Sequence, residues 1–134
     1  MRCPESAKAQ APPSLQRNEA VQQLQQLLTA KPSAAREANA YQLARWAIHA
    51  QQSDIFERLV PHLVPMNGVD TEGNTLPMWM ALYNRPQWIS RWSKAHLLQR
   101  NQHQDTALSL AIDQNHLPVV RVLLQSGAGE PRLL

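Results

Sequence analysis

Apolar residues recur along this chain at helical spacing, in short runs cut by prolines and polar breaks. In the first run Val21, Leu24, Leu27 and Leu28 share one stripe with glutamines opposite, the pattern of an amphipathic helix. Asn18 is its expected N-cap, and Lys31-Pro32-Ser33 its end. A second run starts near Ala35, breaks at Gln51-Gln52-Ser53 and resumes with Ile55, Phe56, Leu59 and Val60 as far as Pro61. A third occupies the stretch around Trp79 and Trp92 and is interrupted at Pro86. The last is the cleanest: Leu108, Leu110, Ala111 and Ile112, the polar break Asp113-Gln114-Asn115-His116, then Val119, Val120, Val122, Leu123 and Leu124. Gly127 follows in the position of a helix-closing C′ glycine. Runs this short are not stable helices by themselves. They predict an all-α stack of antiparallel helix pairs in which each pair covers the flank of the next.

The last run resembles an ankyrin repeat, whose pattern is roughly G-x-T-P-L-H-x-A-A-x-x-G-H-x-x-V-V-x-L-L-L-x-x-G-A. Thr106, Leu108, Ala111, His116, Val119, Val120, Leu123, Leu124, Gly127 and Ala128 fall where the family places them, while Ala107, Ser109 and Asn115 depart. Setting Ala47 on Ala111 also sets Ile55 and Phe56 on Val119 and Val120, and Leu59 and Val60 on Leu123 and Leu124. This gives a degenerate first repeat whose inner helix is extended at its start. For the middle repeat, Pro77 is set on the family's proline and Ala81 on Ala47 and Ala111, spacings of 34 and 30 residues. That register needs one residue inserted before Leu76.

The resemblance implies an ankyrin-like solenoid of about three repeats, over residues 35–65, 66–98 and 99–129, with a capping helix at 18–30. Residues 1–16, rich in proline and small polar side chains, are expected to form a flexible tail ahead of one domain at 17–134. Residues 65–77 resemble the family's connecting finger, with Asp70 and Gly73 shaping its turn and at most a short hairpin at 66–75. The next finger lacks glycine and is expected to be truncated or irregular. No polar helix follows the last repeat, so Val122 and its neighbours are either partly exposed or covered by the C-terminal tail or a partner.

Composition narrows the function classes. The 134 residues suit a single core, and the net charge of +3 is too mild to imply nucleic acid. Cys3 is the only cysteine, which excludes an internal disulfide or a cysteine metal cluster. The N-terminal stretch has no apolar signal region and no run is long enough to span a membrane, so a cytoplasmic location is expected, without excluding delivery by a signal-independent secretion system.

Candidate chemistry is sparse. His49, His62, His96, His103 and His116 are scattered with no i, i+4 pair, and His116 sits where the family has a structural histidine that bonds a neighbouring turn. No nucleophile motif, phosphate loop or paired carboxylates are present, so neither enzyme activity nor a cofactor or small-molecule substrate is expected. Of four tryptophans, Trp46 and Trp92 align with the packing positions Leu110 and Val122. Trp79 aligns with the family's inner-helix histidine and Trp88 with a charged position; these two read either as exposed anchors or as space-filling residues. Arg85, Arg91, Lys94 and Arg100 form a basic group that reads as a solvated face, with a nucleic-acid surface as the sharper alternative.

What the family resemblance implies is a non-enzymatic protein-binding module. The expected output is occupancy of another protein's surface, as a stoichiometric inhibitor or immunity-like protein or as an adaptor. Two alternatives are a secreted effector that binds a host protein through the same face and a nucleic-acid-associated basic protein. The family's concave face maps here to His49, then Thr71, Glu72, Thr75, Trp79, Tyr83 and Asn84, then Asn101, Gln102, His103, Asp105, Asp113 and Gln114.

Overall fold

The computed structural model describes residues 15–62 and 68–127. Its helices are α1 (Arg17–Thr29), α2 (Ala34–Ala50), α3 (Ser53–Leu59), α4 (Leu76–Tyr83), α5 (Lys94–Leu97), α6 (Ala107–Asp113) and α7 (Leu117–Gln125), with a 3-10 helix at Pro86–Arg91 between α4 and α5. Among the described residues there is no strand, only an isolated antiparallel bridge between Val69 and Thr75. The expected tail at 1–16 lies outside the described residues apart from Leu15 and Gln16, and so do 63–67 and 128–134.

Helix α1 buries Ala20, Leu24 and Leu27 against α2 and α3. Asn18 is not its N-cap: Gln16 holds that position, and the Asn18 side chain accepts only the adjacent Glu19 N–H at 3.0 Å, inside the first turn. Polar bonds clamp both ends of α1. Arg17 reaches Asp54 and Gln52 beyond the end of α2, and Arg36 Nε donates to the Leu27 carbonyl at 2.9 Å, which also accepts the Ala30 amide at 3.3 Å.

The stack then proceeds through inner helices α2, α4 and α6, backed by α3, the 3-10 helix and α7. The middle repeat has no regular outer α-helix. Pro86 opens a 3-10 helix instead, burying Trp88 and Ile89, and Trp92 follows in an extended conformation. Both rings pack on Phe56 of the preceding repeat, at centroid distances of 4.6 Å for Trp88 and 6.5 Å for Trp92. All four tryptophans are therefore core residues, at 5% exposure or less, and Trp88 is not a surface anchor.

Backbone geometry fixes the repeat register. Each inner helix ends on a left-handed residue, Gln51 (φ 57°), Asn84 (φ 58°) or Asn115 (φ 58°). The next amide then bonds a carbonyl five residues back: Gln52 to Ala47, Arg85 to Met80 and His116 to Ala111, at 2.8–2.9 Å. Met80, not Ala81, is thus the equivalent of Ala47 and Ala111, with spacings of 33 and 31 residues. The helix starts agree, since Thr75 and Thr106 are matching N-caps 31 residues apart, and no residue is inserted before Leu76. Across the outer elements the same register pairs Trp92 with Leu123 rather than Val122. A slip of one residue turns a helix face by about 100°, which moves Trp79 from the position of the family's histidine to the core position that Trp46 and Leu110 hold in their own repeats. Met78 takes the histidine's place and completes the N-cap with its sulfur, which accepts the Thr75 N–H at 3.4 Å.

The third finger is regular, contrary to the expectation of a truncated one. Asp70 Oδ1 accepts the Glu72 and Asn74 amides, each at 2.9 Å. Asn101 Oδ1 does the same for His103 and Asp105 at 2.8 and 3.1 Å. Gly73 (φ 82°) and Gln104 (φ 65°) occupy matching left-handed positions. A Cβ on Gly73 would lie 3.3 Å from the Asn101 Cα, because the third finger packs against it; Gln104 is exposed on the last finger, where a side chain has room.

Apolar side chains are exposed on the C-terminal flank of the last repeat. Ile112, Leu117 and Leu124 are 57%, 59% and 47% exposed, whereas Ile48 and Ala81, the equivalents of Ile112 inside the stack, are fully buried. Val122 is half-buried.

Candidate partner-binding surface

Of the residues expected on the concave face, four are committed to the fold. Thr75 is the N-cap of α4, and its side chain accepts the Met78 amide. Asn101 is 4% exposed and shapes the third finger while its Nδ2 donates to Asn74 Oδ1 at 2.7 Å. Asp105, 7% exposed, accepts the Ser109 hydroxyl at 3.1 Å beside the N-cap of α6. Trp79 is fully buried, so no partner touches it.

The remaining nine divide into two patches. Finger tips form the first: the Gln102 amide donates to the Glu72 carbonyl at 2.9 Å, Gln102 Nε2 donates to the Thr71 carbonyl at 2.9 Å, and His103 Nε2 lies 3.6 Å from a Glu72 carboxylate oxygen. These bonds zip the two fingers into one polar rim. The second patch lies at the far ends of the inner helices, with His49 on α2, Tyr83 and Asn84 at the end of α4, and Asp113 and Gln114 at the end of α6. The eight residues of α4 separate the patches, a span of roughly 12 Å at the helical rise. A ligand engaging both must run along the inner helices.

Beneath the second patch is an aromatic and cationic network that the sequence pattern did not reveal. The Trp79 indole N–H donates to the Tyr41 hydroxyl at 2.8 Å, and that hydroxyl donates to the Asn74 carbonyl. Arg45 lies over Trp79, its Cζ 3.9 Å from the ring centroid, and donates from Nε to the Tyr83 hydroxyl at 3.0 Å. Such a cation over an indole face is attractive, the more so when desolvated. Tyr83 stacks on Trp79 at 5.7 Å and meets the His49 ring edge-on at 4.9 Å. Tyr83 is half-buried, its ring held in place by these contacts. Burial pushes the pKa of both hydroxyls upward, at Tyr41 far beyond its usual range. Burial, followed by the nearby Arg85 and Arg45 charges, lowers that of His49.

The basic group is largely engaged. Arg85 donates to the carbonyls of Ile48 and His49 at 3.3 and 2.9 Å, Arg91 pairs with Glu57, and Arg100 donates to the Gln104 carbonyl at 3.0 Å. His116 has the expected structural role, its Nδ1 donating to the Ala81 carbonyl at 2.7 Å. Arg85 stands at the equivalent position one repeat earlier and reaches the equivalent carbonyl. Among the described residues no three His, Cys, Asp or Glu side chains gather as metal ligands, and no helix is long and apolar enough to cross a membrane.

Compared with curated proteins and with solved structures, the chain matches none. A family model described as ankyrin repeats (3 copies) matches residues 45–131, from the middle of α2 through the last repeat. With the matched N-caps, left-handed turns and inter-repeat bonds of its three helix pairs, the chain belongs to the ankyrin-repeat family, a family of protein–protein interaction modules.

Proposed function

We propose that this protein acts by occupying a partner protein's surface through its finger rim and inner-helix ends, as a stoichiometric inhibitor or an adaptor. The observation that supports this is the periodic placement of His49, Asn84, Asp113 and Gln114 at the ends of successive inner helices, opposite a rim of Thr71, Glu72, Gln102 and His103. These exposed or half-exposed side chains stand on a frame of bonded fingers and capped helices, so little conformational entropy is lost when a partner docks. Tyr83 supplies the aromatic element that interface energetics favour.

The test is co-purification of the tagged protein from its native cells, with the stoichiometry of the captured protein measured and the affinity of the purified pair determined. Thr71→Arg at the rim and Gln114→Arg at the helix ends each place a bulky charge on one patch. At least one should weaken binding tenfold or more, about 1.4 kcal/mol, while Lys94→Glu on α5, beside Gly127 at the end of outer helix α7, leaves it unchanged. If Lys94→Glu abolishes binding and both patch variants retain it, the partner sits on the convex side and the reading fails.

A further inference from the structure

The first repeat lacks a finger, and the residues from Ala34 to Gln42 extend α2 where that finger would stand. Gln42 is the equivalent of the N-caps Thr75 and Thr106, so the inner helix here starts more than two turns early. This extension runs beside the second finger and leaves an open cleft of about 540 Å³ between the two, within the size range of small-ligand sites. One wall is helix α2 and the other is residues 68–71. Tyr41, fixed by its bond to the Asn74 carbonyl, forms the floor.

The lining is chemically one-sided. Glu37 comes from the helix wall and Asp70 from the finger wall, and among the described residues no Lys, Arg or His lines the cleft, although the chain as a whole carries a net charge of +3. Glu37 is exposed, and no ion pair among the described residues engages it. The hydrogen bonds to Asp70 come from the neutral amide donors of Glu72 and Asn74, which hold the carboxylate in place without cancelling its charge. Ser33 caps α2 by accepting the Arg36 amide, so the cleft meets the flank of the helix rather than its amide-bearing end. Ala38 and Val69, the latter 43% exposed, add apolar wall, and Gln42 and Thr71 add side chains able to bond a peptide backbone.

From this cleft we infer a recognition site for an extended peptide segment of the partner that carries a lysine or arginine. The cation lies between Glu37 and Asp70, and flanking small apolar residues lie on Ala38 and Val69. The inference rests on the reading of the chain as a protein-binding module, and it adds a sign of charge and a place that neither finger rim nor helix ends specify.

The probe is the tripeptide acetyl-Val-Arg-Val-amide, titrated to about 10 mM into the isotopically labelled full chain while backbone amide shifts are followed. Saturable shifts are expected at residues 37–42 and 68–71, with none from acetyl-Val-Glu-Val-amide. Glu37→Gln should weaken the arginine peptide about threefold, the scale of one partly exposed ion pair. Gln42→Lys, which leaves Glu37 intact and adds a cation to the cleft, should abolish binding. Absence of saturable shifts, equal shifts from both peptides, or an affinity indifferent to both substitutions overturns the inference. The capture experiment with Gln114→Arg, a residue outside the cleft lining, reads partner binding separately, so either result can fail while the other stands.

Discussion

His116 and Ala81 are joined by a 2.7 Å hydrogen bond from the imidazole Nδ1 to the carbonyl oxygen, linking the start of outer helix α7 to the end of α4, the inner helix of the preceding repeat. One repeat earlier Arg85 makes the corresponding bond to Ile48. A helix C-terminus leaves carbonyls without intrahelical partners, and in each of the first two repeats one such carbonyl accepts a bond from a side chain of the next repeat. His116→Ala should therefore destabilise by about 1 kcal/mol, lowering the melting temperature by roughly 4 °C. His116→Arg should recover most of that, since Arg85 shows a guanidinium can reach the equivalent carbonyl. Thermal melts of both variants decide the matter; equal loss in the two would mean that ring packing, not the bond, sets the cost.

The paired fingers give a second prediction, of opposite signs at matching positions. Gly73 combines a left-handed backbone with the close approach of Asn101, so Gly73→Ala should cost about 1–2 kcal/mol. Gln104 holds the same conformation with solvent beside it, so Gln104→Gly should stabilise by about 0.5–1 kcal/mol. Chemical denaturation of the two variants would show the opposing shifts. A loss in both would mean that the Gln104 side chain itself holds the finger.

Much of this architecture was legible in the sequence. The three helix pairs, the extended α2 and the register between first and last repeats follow from apolar spacing, because those positions pack against a neighbouring repeat. In the middle repeat an alanine register falls one residue off, because Met80 fills the place of Ala47 and Ala111; the Thr75–Thr106 correspondence carries the better signal. The third finger carries no glycine, yet Asn101-x-x-Gln104-Asp105-Thr106 has the spacing of Asp70-x-x-Gly73-Asn74-Thr75. The α2 cleft and the Arg45–Trp79–Tyr83 stack arise from residues some 30 positions apart, where no local period reports the contact.

The corrected register predicts contrasting behaviour at two adjacent residues. Ala111 is fully buried at the seam with the preceding repeat, so Ala111→Leu should overpack it and cost about 1–3 kcal/mol. Ile112, 57% exposed on the C-terminal flank, should tolerate Ile112→Ala within about 0.5 kcal/mol. Melting temperatures that fall equally for both would mean that the flank at Ile112 is covered in solution.

The last prediction concerns pH. Partial burial, followed by the charges of Arg85 and Arg45, holds the His49 pKa below its ordinary 6.5, so the folded protein binds this proton less readily than the unfolded chain does. The contribution to stability is therefore fully present above pH 6.5, declines as pH falls through 6.5, and is lost once pH drops below the folded value. Asp54, depressed from 3.8 chiefly by its bond to Arg17, loses its contribution only at lower pH, so the two windows are separate. His49→Gln should flatten the decline in melting temperature between about pH 7 and 5. Titration of the His49 ring by NMR should give a midpoint under 6.5, and Arg85→Gln should move it part of the way back, since burial is the larger cause. A midpoint at or above the ordinary value would mean that the His49 ring stands free in solution, away from Tyr83 and the two arginines.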